Sequence, residues 1–116
     1  MKTCSVLVAA AAGLWLGSLA AQTPAAGNAQ NGQRLFEKYG CYACHGHLGQ
    51  GSAAGPRLAP RPLAAAALIA YVRHPVGSMP PYTAKVVADA ELTDIRAYLA
   101  SVPEPPPAKS IPLLNQ

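Results

Sequence analysis

Two cysteines and a histidine form the most distinctive chemical pattern in this chain. They stand in the segment Cys41-Tyr42-Ala43-Cys44-His45, which matches the C-x-x-C-H signature of c-type haem attachment. Two residues between the cysteines, on a turn at a helix end, bring both sulfurs over the two vinyl groups of one porphyrin edge. The histidine that follows then points its imidazole at the iron. The spacing therefore predicts one covalently bound haem c with His45 as an axial ligand.

A cysteine pair at this spacing also occurs in structural disulfides, thioredoxin-like redox sites and zinc sites. A thioredoxin-like site requires a neighbouring βαβ pattern, which this sequence lacks. A zinc site requires four ligands, usually with a second Cys or His pair, and His47 and His74 do not form a recognisable one. Haem attachment fits the pattern best, and a non-haem thiol–disulfide protein is the remaining alternative.

The N-terminus has the pattern of a secretory signal. Lys2 supplies a basic start, residues 6–19 form an apolar run, and Ser18-Leu19-Ala20 offers small residues for cleavage. The run is shorter than the roughly 20 residues that span a bilayer. We therefore predict a signal peptide at residues 1–20, with an uncleaved membrane anchor as the alternative. Export implies the periplasm of a Gram-negative bacterium and no stable membrane insertion after cleavage.

Composition and charge exclude several classes of protein. The 116 residues allow one small domain, too short for a doubly wound nucleotide enzyme or a multi-span transporter. Loss of residues 1–20 removes only one charged residue, Lys2, and lowers the formal charge from +4 to +3. Because so small a charge is scattered and forms no run of Lys and Arg, we expect no binding to nucleic acid.

Three helices are predicted to surround the motif. They cover residues 28–39, 63–73 and 89–101, with loops rich in glycine and proline at 46–62 and 76–83. No segment has the alternating pattern of a strand, so the predicted fold class is all-α.

Local signals set the ends of these helices. Asn28 is a capping residue, Gly40 is a typical terminating glycine, and Pro75 prevents a helix from continuing past His74. The last helix carries a buried stripe formed by Leu92, Ile95, Tyr98 and Leu99.

The helices are predicted to belong to one domain, residues 28–101. It lies between a flexible N-terminus at 21–27 and a proline-rich disordered tail at 102–116, for which a tether to a partner is the alternative. A domain this small usually requires a crosslink or a cofactor for stability. We therefore expect haem to form much of the core and the haem-free domain to be largely unfolded. The expected haem contacts are Leu58, Leu68, Ile69, Val72 and Leu92.

Beyond the attachment motif, residues 28–101 resemble the class I, single-haem cytochromes c of bacteria. Gly32 and Phe36 on the first helix, with Tyr98 on the last, are similar to the family's glycine–aromatic contact. The segment Gly55-Pro56-Arg57-Leu58 resembles the loop whose proline carbonyl accepts the Nδ1 proton of the haem-binding histidine.

The resemblance implies a small class I cytochrome c fold, with about three helices wrapped around one covalently attached haem. It also implies that Pro56, Arg57 and Leu58 lie against the cofactor. Arg57 and the Tyr82 hydroxyl are candidates for contacts with haem propionates, although each could instead be an ordinary solvated residue. The chain departs from the family before the last helix, where Ala88 or Asp89 replaces the usual Ser or Thr cap.

A second axial ligand must come from a distant loop. After Met1, the chain holds one further methionine, Met79, between a glycine and two prolines in Gly77-Ser78-Met79-Pro80-Pro81-Tyr82. The family places its methionine ligand in a similar Met-Pro loop, so Met79 is the predicted ligand. The alternatives are His74, which ends a helix, and His47, which is tied to the same haem face as His45.

A His/Met pair predicts an electron carrier that is not itself an enzyme. The thioether raises the reduction potential, and two filled axial positions leave no site for substrate. We expect the protein to take single electrons from a dehydrogenase and pass them to a downstream cytochrome or oxidase. The alternatives are a five-coordinate haem sensor or peroxidase-like protein, and an electron-transfer subunit bound to one dehydrogenase.

Overall fold

The computed structural model describes residues 26–115. The predicted signal peptide, residues 1–20, lies outside the described residues, as do residues 21–25 of the predicted N-terminal segment. Within the described range the structure has four α-helices and no strand. They are α1 (Ala29–Lys38), α2 (Tyr42–His45), α3 (Ala65–Arg73) and α4 (Asp89–Ser101). The predicted all-α fold is confirmed.

Helix α1 begins and ends at the signals expected from the sequence. The Asn28 side chain accepts a hydrogen bond from the Asn31 backbone N–H at 2.8 Å, which satisfies one of the free donors of the first turn. Gly40 follows the helix with φ at +73°, a backbone conformation that glycine adopts without steric strain. The chain therefore turns sharply at Gly40 and leads directly into the attachment motif on α2.

Helices α1 and α4 cross where α1 has no side chain. A Cβ atom on Gly32 would lie 1.9 Å from the Asp94 carbonyl oxygen, so only glycine allows this approach. One turn further along, the Phe36 and Tyr98 rings pack with their centroids 5.7 Å apart. The predicted pairing is thus slightly displaced, because Tyr98 packs on Phe36 while Gly32 meets the Asp94 backbone.

We expect Gly32→Ala to destabilise the fold by roughly 1–3 kcal/mol, the usual cost of overpacking a tight contact. Alanine gains at most about 1 kcal/mol of helix propensity over glycine, which is too little to offset a collision with backbone. The free energy of unfolding in urea measures the change, and exposed Gln33→Ala on the same helix is the control. Equal stability of the two variants would contradict the close crossing.

The start of α4 is held by carboxylates, which replace the missing Ser or Thr cap. Ala88 precedes the helix, and its N–H donates to Glu91 Oε2 at 2.8 Å. The other oxygen of Glu91 accepts from the Tyr39 hydroxyl at 2.9 Å. Asp94 accepts from the Asn28 N–H and from the Asn31 side chain, each at 2.7 Å. These contacts tie α4 to both ends of α1.

The same hydrogen bonds lower two pKa values. The Ala88 N–H and the Tyr39 hydroxyl hold the pKa of Glu91 below its usual 4.5. The Asn31 side chain and the Asn28 N–H hold the pKa of Asp94 below its usual 3.8. A carboxyl group whose pKa is lower in the folded than in the unfolded state stabilises the fold at pH values above its unfolded-state pKa. This stabilisation is lost as the pH falls through the folded-state pKa.

We therefore expect the free energy of unfolding to fall as the pH drops below about 4.5, the ordinary pKa of Glu91. Asp94→Asn should reduce this dependence, because the asparagine cannot be protonated in that range. Urea unfolding at a series of pH values measures it. If wild type and Asp94→Asn lose stability in parallel, the Asp94 contacts do not cause the effect.

Helix α3 begins two residues later than the predicted start at 63. Ala64 is extended, and the Leu63 carbonyl instead accepts a hydrogen bond from Arg96 Nε on α4 at 2.8 Å. The helix ends at Arg73, and His74 caps it before Pro75, past which no helix could continue. Its buried side chains are Leu68 and Val72, one turn apart on the face toward α4.

The core joins α1, α3 and α4. Its buried side chains are Leu35, Phe36, Ala59, Leu68, Val72, Val87, Leu92, Ile95, Tyr98 and Leu99. After α4, the chain forms two short 3-10 turns, Ala108–Ser110 and Pro112–Leu114, whose side chains are exposed. The flexibility predicted for residues 102–116 stays a prediction.

Candidate haem site

A cavity of about 630 Å³ opens between the attachment motif, α3, α4 and the two long loops. This volume lies within the roughly 300–1,000 Å³ typical of cofactor and ligand pockets. Its walls are mostly apolar, and several core side chains also line it, among them Phe36, Leu68, Val72, Leu92 and Leu99. Any group that fills the cavity therefore becomes part of the core.

The cysteines and the histidine of the motif lie together on the cavity wall. Cys41 precedes α2 with helical backbone angles, and Cys44 and His45 lie on the helix one turn later. No disulfide joins the two cysteines to each other. Burial raises the pKa of the Cys41 thiol to about 11, so this thiol is protonated at neutral pH. The donor set and the adjacent apolar cavity fit a covalently attached porphyrin.

The His45 ring is oriented by the loop that the sequence singled out. Its Nδ1 lies 2.8 Å from the Pro56 carbonyl oxygen. Because a carbonyl only accepts, this contact places the proton on Nδ1 and leaves the lone pair on Nε2 for a metal. A Cβ atom on Gly55 would lie 2.9 Å from the Cys44 carbonyl oxygen and 3.1 Å from the His45 ring, so glycine lets the loop approach this closely without a shift of the backbone. His45 itself is only 7% exposed.

Met79 lines the same cavity and is partly buried, whereas the two alternative histidines do not line it. His47 stacks on the Tyr42 ring outside the cavity, with centroids 4.7 Å apart, and its Nδ1 lies 3.4 Å from Glu37. His74 is exposed at the end of α3. The structure thus brings one imidazole and one thioether to a common cavity.

Pro56, Arg57, Leu58 and Tyr82 also line the cavity. The Tyr82 hydroxyl donates to the Tyr39 carbonyl at 3.1 Å, so a contact with a haem propionate would require it to give up that bond. Burial, followed by the nearby Cys41 and Cys44 thiols, raises the pKa of Tyr82.

Arg57 is engaged on the outer side of its loop. Its Nε donates to the Ala59 carbonyl at 2.7 Å, and its guanidinium lies 3.4 Å from Glu104 in the tail. Glu104 also pairs with Arg61 at 2.7 Å. Such exposed ion pairs are weak, typically 0–1 kcal/mol. The Arg57–propionate contact stays a prediction, with Glu104 as the present partner of the arginine.

One predicted haem contact does not line the cavity, and several lining residues were not predicted. Ile69 packs against the core but does not line the cavity, because it is offset around α3 from Leu68 and Val72. The unpredicted lining residues include Tyr39, Arg61, Leu63, Tyr71 and Val76. Of these, Tyr71 could have been found, since it follows Leu68 by three positions and so shares its helix face.

Together, the fold and the cavity define a small cytochrome c domain whose helices close around one haem. A family model described as cytochrome c oxidase, cbb3-type, subunit III matches residues 27–99, and the chain belongs to this family. The resemblance to the class I cytochromes c is thereby confirmed. The searches found no similar protein among curated sequences and none among solved structures.

Membership in this family establishes the cofactor and the coarse function. The cofactor is covalently attached haem c with its iron, and the protein transfers electrons through it as a carrier, not as a catalytic enzyme. Among residues 26–115, no helix has both the length and the apolar character needed to cross a membrane.

Proposed function

We propose that this protein is a periplasmic single-electron carrier whose haem is attached through Cys41 and Cys44 and ligated by His45 and Met79. The observation that carries the proposal is the cavity wall, which combines the His45 imidazole with the Met79 thioether. His47 and His74, the other candidate donors, lie away from that wall.

The chain's own residues suit transfer of an electron without bond-making at the iron. When bound, haem c supplies reversible one-electron chemistry at its iron. The Pro56 carbonyl fixes the tautomer and orientation of His45, while the soft Met79 sulfur favours the ferrous state. If His45 and Met79 both bind the iron, neither residue would have to leave it when an electron is transferred.

The rim of the cavity supports docking through apolar contact. Val76 is 73% exposed, Leu63 is 53% exposed, and Tyr71 is 39% exposed, and all three line the cavity. Since the net charge is small, long-range steering contributes little at physiological salt. This surface suits brief contacts with a dehydrogenase donor and with a downstream cytochrome or oxidase.

A second candidate is a carrier that remains bound as a subunit of a respiratory complex. The description of the matching family as an oxidase subunit favours this candidate and an oxidase as the acceptor. Size-exclusion chromatography of the protein from its native membrane or periplasmic extract separates a free carrier from a bound subunit.

Exposure of the reduced protein to carbon monoxide tests the proposed ligation. Because His45 and Met79 occupy both axial positions, we expect no fast change in the Soret absorption band. The oxidised protein should show the weak far-red band that marks methionine–iron ligation. Rapid, complete binding of carbon monoxide with no far-red band would contradict the proposal and indicate the five-coordinate sensor.

A further inference from the structure

Arg73 makes a set of contacts that the haem site described so far does not use. It is the last residue of α3, and its side chain is only 15% exposed. Its guanidinium donates to the Tyr82 carbonyl at 2.9 Å and to the Val87 carbonyl at 2.8 Å, and it also pairs with Asp89. Tyr82 and Val87 lie on the stretch of chain that joins the Met79 loop to α4, and Asp89 is the first residue of α4.

Tyr82, the first of these acceptors, is fixed at three of its polar groups. Besides the carbonyl bound by Arg73, its N–H donates to the Val72 carbonyl at 3.1 Å. Its hydroxyl donates to the Tyr39 carbonyl, also at 3.1 Å. The residue therefore anchors the loop to α3 on one side and to the end of α1 on the other.

The anchor is joined to Met79 by a stiff connection. Only Pro80 and Pro81 lie between Met79 and Tyr82, and a proline ring holds φ near −65°. The backbone at Met79 is therefore restricted by the position of Tyr82. By contrast, Gly77 and Ser78 on the N-terminal side are exposed, and Gly77 has φ at +74° with open space around it. The methionine loop is thus held mainly from its C-terminal side.

We propose that Arg73 is a positioning residue that holds the Met79 thioether at the haem iron through Tyr82 and the two prolines. This inference rests on the proposed His45 and Met79 ligation. The planar guanidinium bonds two carbonyls and a carboxylate at once, an arrangement that the single nitrogen of a lysine cannot reproduce. Without it, Tyr82 loses one anchor and the sulfur leaves the iron more often.

A purely structural role for Arg73 makes a different prediction. In that case Arg73 would only join α3 to the start of α4 through Val87 and Asp89, and its loss would lower overall stability without selectively freeing Met79. Arg96 provides the matched control, because its Nε donates to the Leu63 carbonyl at 2.8 Å and no hydrogen bond or ion pair joins its side chain to the methionine loop.

The test measures how fast imidazole binds to the oxidised, haem-loaded protein. This rate follows the dissociation of the methionine from the iron, because imidazole takes the position that the methionine leaves. We expect Arg73→Gln to bind imidazole at least roughly tenfold faster than wild type. A hydrogen bond from a charged donor typically contributes enough free energy to shift an equilibrium, here that between bound and dissociated methionine, by about this factor. Its far-red band should also disappear at a lower temperature than its helical circular dichroism signal. Arg96→Gln should keep the wild-type imidazole rate even where its melting temperature falls.

Arg73→Lys keeps the charge and provides a second variant if the glutamine variant folds poorly. It should bind imidazole faster than wild type but more slowly than Arg73→Gln. The proposal is overturned if Arg73→Lys binds at the wild-type rate, or if Arg73→Gln and Arg96→Gln accelerate binding equally. A wild-type protein without the far-red band would instead refute methionine ligation itself, so the two failures are distinguishable.

Discussion

Replacing Met79 by leucine is expected to lower the reduction potential by on the order of 100 mV and to open the iron to carbon monoxide. Axial ligands set haem potentials over roughly 0.8 V, and a thioether favours the ferrous state. Leucine retains most of the apolar volume, so the change reports the sulfur and not a new gap in the cavity wall. Spectroelectrochemical titration measures the potential.

The neighbouring Ser78 supplies the control for this prediction. It also lines the cavity and is exposed, but its hydroxyl is not a candidate ligand, so Ser78→Ala should leave the potential nearly unchanged. An unchanged potential in Met79→Leu, together with a shifted potential in His74→Ala or His47→Ala, would contradict the account and identify a histidine as the ligand.

The second large effect concerns folding without the cofactor. The double variant Cys41→Ala/Cys44→Ala, purified free of haem, is expected to lack a cooperative thermal transition and to lose most of its helical circular dichroism. The cavity of about 630 Å³ is lined by core side chains, among them Phe36 and Leu99, which would lose their contacts with the haem in this variant.

The size of the cavity explains why this effect should be so large. At about 24 cal/mol per Å³ of cavity, the loss of stability on removing the haem extrapolates to no more than ~15 kcal/mol. This value is an upper bound because the cavity opens to water. Domains are stable by only about 5–15 kcal/mol. Cys44→Ala is the control, since Cys41 can still retain haem and the domain should fold. A native-like, cooperative melt of the haem-free double variant would be incompatible with a core built around the cofactor.

The parts of the site that follow from local chemistry were predictable from the sequence. The attachment motif needs only the spacing of Cys41, Cys44 and His45, and the ends of α1 need only Asn28 and Gly40. The Pro56 contact with His45 came from the family resemblance, and the structure has it at 2.8 Å. In each case, a short segment or a shared motif carries the information.

The contacts that the sequence did not predict join residues far apart in the chain. Tyr82 reaches Tyr39 across 43 positions, and Arg57 reaches Glu104 across 47 positions. Ile69 was also predicted to contact the haem because it is apolar. The direction of its side chain, however, depends on how α3 is rotated against α4. No periodic pattern encodes that rotation or those pairings, because they arise only when the helices pack.

The most direct test of the central claim is the mass of one peptide. Trypsin cleaves after Lys38 and Arg57, so peptide 39–57 contains both Cys41 and Cys44 and no other cysteine. In protein purified from its native cell, we expect this peptide to carry the added mass of one haem and to resist alkylation at both sulfurs. A peptide of unmodified mass, with two thiols that react with iodoacetamide, would contradict the account.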